Sequence, residues 1–395
     1  MLEDVKVLSF THYLQGPSAV QILGDLGADV IKIERPEGAY ERHWSGGESF
    51  VGGESMFYLL AGRNQRSLAL DVRSEEGKKI VWDLIERADV IVENFRPGVM
   101  ERLGLGYEAA SAVNPGIVYC SLTGYGSEGP YRDKPGQDLL IQALSGLAMQ
   151  SGRADTPPTP VGSAVVDQHA AVWGALGVLA ALHRRRTSGE GGKVDSNLFS
   201  AALDLQIEPL NYHLNGTDLY DRSASGISSR FHQAPYGVFA TFDEWVCLSL
   251  NDMKTMGAVF DDAEMAEWTK DDQFRRREDV NSRIAQHLRT KSLAHWKTVF
   301  DERGVWYAPV NDYDAIEDDP QVAHNGSVLS FEHPRAGKVR VLAHPVKYDG
   351  QTPGINRIPP SLGEHTAEIL RDLGRTEAEI DQLIDGKIVR TNSRA

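Results

Sequence analysis

The sequence predicts an α/β protein whose main part is a parallel sheet covered by helices. Three observations lead to this prediction. Short Val- and Ile-rich runs alternate with helical segments through the first half of the chain, the order typical of parallel sheets. The composition, 395 residues with 41% hydrophobic and 25% charged, is typical of a globular protein with a large core. From about Gly216 aromatic and charged residues become more frequent, which predicts a second, smaller α+β domain.

The predicted elements of the sheet follow one another at short intervals. Strands are predicted at 5–10, 29–34, 67–72, 89–93 and 116–122. Helices are predicted between them at 18–26 and 74–87, where helix start and stop signals occur. Ligands of such sheets gather beyond the carboxyl ends of the strands. We therefore expect the binding site in the loops after these strands, which follow Phe10, Glu34, Glu93 and Leu122.

The second half of the chain contains a long helix, the smaller domain and a C-terminal segment. A helix over 168–186 is apolar nearly all round from 170 to 182, which predicts that it is buried. Further along, the predicted elements are a β-hairpin at 236–242 and 244–250, charged helices within 261–300, a strand at 339–342, and short helices at 364–373 and 377–384.

The composition excludes some classes of partner. A formal charge of −15 argues against a nucleic-acid or anionic-membrane surface, although it leaves room for a small polyanion in a local basic pocket. We find no apolar run of bilayer-spanning length and no secretory-signal pattern. Cys120 and Cys247 lie in apolar stretches, where we expect them to be buried free thiols. We therefore expect a cytoplasmic protein with no nucleic-acid and no membrane partner.

Motifs for several common cofactors are missing from the sequence. The loop after the first strand lacks the glycine pattern of a dinucleotide site. Gly124, Gly126 and Gly129 match that pattern, but Pro130 follows at once, so a plain glycine loop is the better interpretation. We find no Walker loop, serine-hydrolase elbow or metal-ligand spacing. The sequence therefore predicts no tightly bound cofactor and no metal site.

Asp167 is the residue with the clearest chemical interpretation. It precedes the apolar helix, where the positive end of the helix dipole would keep its carboxylate ionised. An ionised carboxylate is a competent covalent nucleophile. Asp is also a preferred N-cap, and from the residues alone capping is the favoured interpretation.

Cations and an aromatic side chain are predicted on the ligand side of the sheet. Arg35, Arg96, Arg102 and Lys134 stand near predicted strand ends. Together they would bind phosphates, although scattered surface charges are the alternative interpretation. Phe95 follows a strand in the same region, where its ring could stack on a purine.

Ordered motifs along almost the whole chain resemble the family III CoA-transferases, the group of formyl-CoA transferase and carnitine CoA-transferase. The resemblance is carried by 7–12 with Gly16-Pro17, 23–35, 64–71, 89–98, 124–126 with Gly129-Pro130, 162–167, 187–191 and 362–366. It implies a Rossmann-like large domain built from both chain ends, a smaller α+β domain, and two interlocked subunits. The implied division is 1–205 for the N-terminal part of the large domain, 206–225 for a linker, 226–320 for the small domain, and 321–395 for a linker and the C-terminal return.

The resemblance also implies the site residues. Asp167 matches the catalytic aspartate. The positions matched around CoA are His12, Gln15, Arg35, Leu70, Asn94, Phe95, Arg102 and Lys134. Leu14 aligns with the family's glutamine, so Gln15 is its shifted neighbour. The glycine-rich lid of formyl-CoA transferases has no counterpart between Ser223 and Pro235, which argues against formyl or oxalyl substrates.

The implied function is CoA transfer from an acyl-CoA donor, for which succinyl-CoA is a candidate, to a carboxylic acid acceptor. Asp167 would attack the donor thioester to give a mixed anhydride, which the CoA thiolate would convert to an aspartyl-CoA thioester. The acceptor acid would repeat these steps in reverse order. The expected partners are thus acyl-CoA, carboxylates and a second copy of the chain.

Two other functions stay open. An α-methylacyl-CoA racemase or epimerase of the same fold needs two bases. Such racemases carry a histidine at the place of Gln137, which cannot exchange a proton at neutral pH. A non-catalytic acyl-CoA binding protein is the alternative from another class, and the intact Asp167 argues against it. The sequence names neither the donor nor the acceptor acid.

Overall fold

The computed structural model describes residues 1–392, which form two compact units. The first unit consists of Met1–Asp138, Val165–Ala201 and the segment from Pro320 onward, and the second of Leu139–Ala164 and Ala202–Asp319. The domain boundaries given in the sequence analysis stay a prediction.

The elements of both units are numbered in chain order. The strands are β1 Lys6–Phe10, β2 Asp29–Glu34, β3 Phe50–Val51, β4 Glu54–Ser55, β5 Gln65–Leu70, β6 Val90–Glu93, β7 Val118–Thr123, β8 Gly192–Asn197, β9 Tyr236–Ala240, β10 Trp245–Ser249, β11 Tyr307–Pro309, β12 Val328–His333, β13 Gly337–Leu342 and β14 Val389–Arg390. The helices are α1 Gln15–Asp25, α2 Met56–Leu59, α3 Glu75–Ile85, α4 Val99–Arg102, α5 Tyr107–Val113, α6 Asp138–Leu144, α7 Val165–Ser188, α8 Leu198–Asp204, α9 Ile207–Leu214, α10 Met253–Phe260, α11 Ala263–Ala266, α12 Lys270–Arg275, α13 Arg277–Leu288, α14 Leu293–Arg303, α15 Tyr313–Glu317, α16 Pro320–Asn325, α17 Thr366–Asp372 and α18 Glu377–Asp385. Short 3₁₀ turns lie at Tyr40–Arg42, Gly46–Glu48 and Leu147–Gln150.

A seven-stranded sheet forms the centre of the first unit, in the order β14-β5-β2-β1-β6-β7-β8. The strands are parallel except β14, which pairs antiparallel with β5. The chain moves outward from β1 through β2 to β5 and then returns to build the other side from β6. The strand order therefore reverses between β1 and β6, the switch point where ligands of doubly wound sheets bind. The predicted α/β class with a parallel sheet is confirmed.

Two apolar layers cover the faces of this sheet, because successive side chains of a strand point to opposite faces. Leu8 and Phe10 of β1 join the layer under α3, α17 and α18. Val7 of the same strand joins the layer under α1 and α7. Small residues allow α7 to lie close to the sheet: a Cβ on Gly174 would come within 2.7 Å of the Leu122 side chain.

The helix α7 departs from the sequence prediction in two ways. Its buried residues face the sheet and α1, but Val172, Trp173 and Leu176 are 52%, 44% and 49% exposed, so the helix is buried along one side rather than all round. It is also long and apolar enough to span a bilayer by length and composition, contrary to the expectation that no run reaches that length. Core helices meet the same criteria, and the packing of α7 on the sheet is that of a core helix.

The second unit contains the antiparallel sheet β11-β10-β9. The predicted hairpin is confirmed, with Cys247 of β10 opposite Val238 of β9. Helices α10, α13 and α14 pack on this sheet through a core that includes Phe239, Val246 and Phe300.

Candidate active site

A cavity of about 970 Å³ lies at the carboxyl ends of β1, β2, β5 and β6 in the first unit. Loops after these strands supply most of its walls, and the C-terminal segment around β14 supplies the rest. The lining residues are Phe10, Thr11, His12, Tyr13, Ile33, Glu34, Arg35, Pro36, Glu37, Ala39, Tyr40, Leu70, Asp71, Val72, Arg73, Phe95, Val99, Leu103, Ile384, Lys387, Val389, Arg390 and Thr391. The position is the one predicted for ligands of this sheet.

The cavity combines an apolar wall with several cations. Leu70, Phe95 and Ile384 contribute apolar surface, which suits a flat aromatic group. The cations are Arg35, Arg73, Lys387 and Arg390. Such a combination can hold a ligand that carries both an aromatic ring and phosphates.

One acidic residue of the wall is already neutralised by an internal partner. Glu34 is buried and accepts hydrogen bonds from Arg42 at 2.6 and 2.7 Å. Burial opposes its ionisation, but the Arg42 guanidinium prevails and lowers the pKa of Glu34 to about 2. The carboxylate thus remains ionised without leaving an uncompensated negative charge beside a phosphate-bearing ligand.

Asn94 fixes the loop after β1. Its side chain accepts a hydrogen bond from the His12 amide at 2.9 Å and donates to the His12 carbonyl at 2.8 Å. A Cβ on Gly16 would come within 2.9 Å of Asn94 and 2.7 Å of Thr11, so this close approach requires glycine. Lys32, buried in an ion pair with Glu41, donates to the Thr11 carbonyl at 2.7 Å.

His12 and Phe95 form one corner of the cavity. Their rings meet edge to face with centroids 4.9 Å apart. Burial lowers the pKa of His12, so its imidazole is neutral at pH 7 and adds no charge to the cavity.

Gln15 lies at the start of α1, directly after this loop. Its side chain is buried, and among residues 1–392 its Nε2 has no hydrogen-bond partner. One turn later, Ser18 Oγ accepts a hydrogen bond from Gln168 Nε2 at 3.1 Å. This contact joins the start of α1 to the first turns of α7, where Asp167 lies.

Asp167 is the third residue of α7 and does not cap that helix. The capping function belongs to Asp138, whose Oδ2 accepts hydrogen bonds from the amides of Val166 at 2.8 Å and Asp167 at 3.0 Å. The capping interpretation, which the residues alone favoured for Asp167, is therefore wrong. Asp138 could not be identified from the sequence, because it precedes the helix that it caps by almost thirty residues.

The charge state of Asp167 also differs from the sequence expectation. The helix dipole was expected to keep its carboxylate ionised, but the pKa of Asp167 is raised to about 7. Burial is the main cause, and the nearby Asp138 carboxylate is the second.

The matched residues do not all lie at the cavity. Of the eight predicted around CoA, four line it: His12, Arg35, Leu70 and Phe95. Gln15, Asn94, Arg102 and Lys134 do not. Lys134 lies over the ring of Tyr131 at 3.7 Å, and Arg102 ends α4.

Three cavity cations were missed by the sequence reasoning. Arg73 follows the end of β5, so the rule for strand ends could have found it. Lys387 lies two residues before the two-residue strand β14, and Arg390 is the second residue of that strand, whose Val389 pairs with Leu70. Only this long-range pairing brings them to the cavity.

Among residues 1–392, the cysteines and the potential metal ligands do not form a second catalytic or metal-binding site. Cys120 is buried in β7 and Cys247 half-buried in β10, both as free thiols whose pKa is raised by burial. No group of three or more His, Cys, Asp or Glu in this part of the chain is arranged to hold a metal ion.

Comparison with known proteins gives the family. Residues 2–366 match the model of CoA-transferase family III. The chain is 33% identical to human succinyl-CoA:glutarate CoA-transferase, over 98% of this chain and 90% of that protein. It is 30% identical to succinyl-CoA–D-citramalate CoA-transferase of Chloroflexus aurantiacus, over 98% of both. A CAIB/BAIF family protein from Brucella suis has a similar structure, with a TM-score of 0.81 and 29% identity over 93% of this chain and 98% of that one. The chain therefore belongs to CoA-transferase family III and is an enzyme that transfers CoA.

Proposed function

We propose that the enzyme moves CoA from an acyl-CoA donor to a carboxylic acid acceptor, with Asp167 as the covalent nucleophile. The observation that carries this proposal is the position of Asp167. It is a half-buried carboxylate freed from capping, on a helix that contacts α1 directly after the cavity loop. Succinyl-CoA is the donor that we propose, since the relatives named above use it.

The proposed binding mode places the CoA nucleotide in the cavity. Phe95 and Leu70 would contact the adenine, and Arg35, Arg73, Lys387 and Arg390 would neutralise phosphates. Gln15, whose buried Nε2 has no hydrogen-bond partner among residues 1–392, would face the reacting end of the substrate. Arg102 and Lys134 would reach the ligand only by moving from their present positions.

The proposed chemistry proceeds in four balanced steps. The Asp167 carboxylate attacks the thioester carbonyl, the C–S bond breaks, and a mixed anhydride and CoA thiolate form. The thiolate attacks the aspartyl carbonyl, which gives aspartyl-CoA and releases the donor acid. The acceptor carboxylate attacks aspartyl-CoA, giving a new anhydride and the thiolate. The thiolate then attacks the acceptor carbonyl, which forms the new acyl-CoA and restores Asp167.

The proposal extends to the cellular compartment and the assembly of the enzyme. We place the enzyme in the cytoplasm with no tightly bound cofactor and no nucleic-acid or membrane partner. We also propose an interlocked homodimer, each subunit with a large domain from both chain ends. The exposed apolar side chains of α7 support a second copy as the partner that covers them.

Mass spectrometry of acyl-CoAs tests this function. The protein is incubated in D2O with pooled acyl-CoA donors and pooled carboxylic acids. We expect new acyl-CoAs without α-deuterium from the parent and from the control Asp252→Asn, but none from Asp167→Asn. Deuterium in otherwise unchanged acyl-CoAs would instead identify a racemase. Binding of acyl-CoA with neither change would identify a non-catalytic binding protein.

A further inference from the structure

We propose that Asp138 is a positioning residue for Asp167, one that fixes the nucleophile's backbone and sets the pH range in which it acts. The inference rests on the proposed function, because it concerns the same nucleophile. Asp138 enters none of the four chemical steps above and would act only through Asp167.

The contacts of Asp138 support the positioning role. Its carboxylate is buried and accepts from two successive amides of the first turn of α7, at 2.8 and 3.0 Å. The first amides of a helix have no partner within the helix and need an acceptor from outside. One of the two belongs to Asp167 itself, so Asp138 holds the backbone of the nucleophile directly.

The charge of Asp138 supports the electrostatic role. Two carboxylates close together in a half-buried site disfavour the ionisation of each other. The Asp138 side chain accepts two amide hydrogen bonds, and repulsion between the two carboxylates disfavours a charge on Asp167. This agrees with a pKa of Asp167 that burial and Asp138 both raise. A more basic carboxylate is a stronger nucleophile while it remains partly ionised near pH 7.

The elements packed against α7 do not supply a competing charge. Their ionisable side chains are Asp25 in α1, Tyr119 and Cys120 in β7, and Lys193 and Asp195 in β8. Asp25 is held by Arg63 at 2.6 Å, and Lys193 pairs with Asp195 at 3.2 Å. Burial raises the pKa of Tyr119 and of Cys120, so both are neutral at pH 7. On α7 itself, His169 accepts a hydrogen bond from Trp173 at 3.0 Å, and the basic run 183–186 lies at the other end.

The variant Asp138→Asn separates position from charge. Its side-chain oxygen can still accept from both amides, but the negative charge is gone. We expect this variant to fold. Its kcat/KM should still fall at low pH, but with a midpoint about one pH unit below that of the parent. Asp138→Glu keeps the charge and should keep the midpoint near that of the parent.

A matched control excludes a general loss of stability. Asp252 caps α10 by accepting from the Thr255 amide at 2.9 Å, so Asp252→Asn changes a cap remote from Asp167 in sequence. It should leave the acidic midpoint unchanged. An unshifted midpoint in Asp138→Asn, with the parent active, would overturn the charge role of Asp138, whereas an inactive parent would overturn the proposed function.

A second measurement does not depend on activity or on complete folding of every variant. In protein labelled with carboxyl-¹³C aspartate, the Asp167 signal is identified by its loss in Asp167→Asn. We expect it to titrate near pH 7 in the parent and at lower pH in Asp138→Asn. A parent signal that titrates near pH 4 would overturn the inference even if Asp138→Asn does not fold.

Discussion

Two aspartates at the start of α7 have different environments, although both contribute to the same turn. Asp138 satisfies two backbone donors, whereas Asp167 is half-buried beside a second carboxylate. Burial of a charge costs free energy unless hydrogen bonds or an opposite charge compensate it. The ionised form of Asp167 therefore destabilises the folded protein, and it is the form that the proposed mechanism needs as the nucleophile.

The stability of Asp167→Asn tests this cost. A pKa raised from 3.8 to about 7 means that the folded state binds an extra proton between these values, so parent stability falls as pH rises through that range. We expect Asp167→Asn to raise the melting temperature at pH 8 by about 2 °C, equal to about 1 kcal/mol in a large domain. The difference should shrink as pH falls through that range and vanish below the unfolded pKa of 3.8, where the parent carboxyl is protonated in both states.

Asp252→Asn is a control whose effect on stability should have the opposite sign. Hydrogen bonds from Thr255 lower the pKa of Asp252, so its charge stabilises the folded state above the unfolded pKa. Thermal melts at pH 8 should therefore show destabilisation for this variant and stabilisation for Asp167→Asn. A lower melting temperature for Asp167→Asn at pH 8 would contradict our description of the site.

At the scale of elements, the apolar strands could be predicted and the polar ones could not. β2 spans the predicted residues without change, and β1 differs by one residue. β8 has the sequence Gly-Lys-Val-Asp-Ser-Asn and lies at the sheet edge, so it lacks the apolar run that marks a buried strand. β14 has two residues and exists only through its pairing with β5. These polar and short strands depend on tertiary contacts that local patterns do not encode.

The site residues divide in the same way, into those near apolar strands and those that depend on tertiary contacts. Arg35, Phe95 and His12 follow apolar strands and Leu70 ends one, and all four line the cavity. Lys387 and Arg390 depend on β14 and were not predicted. Asp138 directly follows Gln137, but no local pattern marks it, because its contact with α7 is a tertiary one.

Substitution of the β14 cations tests their contribution to ligand binding. We expect Lys387→Gln and Arg390→Gln each to raise the KM for acyl-CoA about fivefold, equal to about 1 kcal/mol, with kcat little changed. Uniform binding of substrate and transition state gives this pattern. Lys338 is an exposed residue of β13, and Lys338→Gln should change neither constant. Lower kcat at unchanged KM would place these cations in the chemistry instead.

At the scale of the whole molecule, the exposed apolar side chains point to an assembly. Val172, Trp173 and Leu176, which lie close together along α7, are about half exposed. Contiguous apolar surface on a folded chain usually marks an interface. The homodimer implied by the family resemblance would cover such surface.

Sedimentation velocity tests the proposed dimer. We expect the parent to sediment as a dimer and the double variant Trp173→Glu, Leu176→Glu to shift toward the monomer, because charges would be buried at the interface. Lys338→Glu serves as the surface control and should remain dimeric. A monomeric parent would contradict the proposal, and so would a double variant that is folded and fully dimeric.

The most direct test of the central claim follows oxygen atoms through Asp167. In the proposed steps the acceptor carboxylate bonds to the aspartyl carbonyl, and one of its oxygens stays on Asp167 when the new acyl-CoA leaves. We therefore predict that turnover with an ¹⁸O-labelled acceptor acid places the label in the peptide that contains Asp167, as measured by mass spectrometry. Efficient turnover that leaves this peptide unlabelled would contradict covalent catalysis by Asp167.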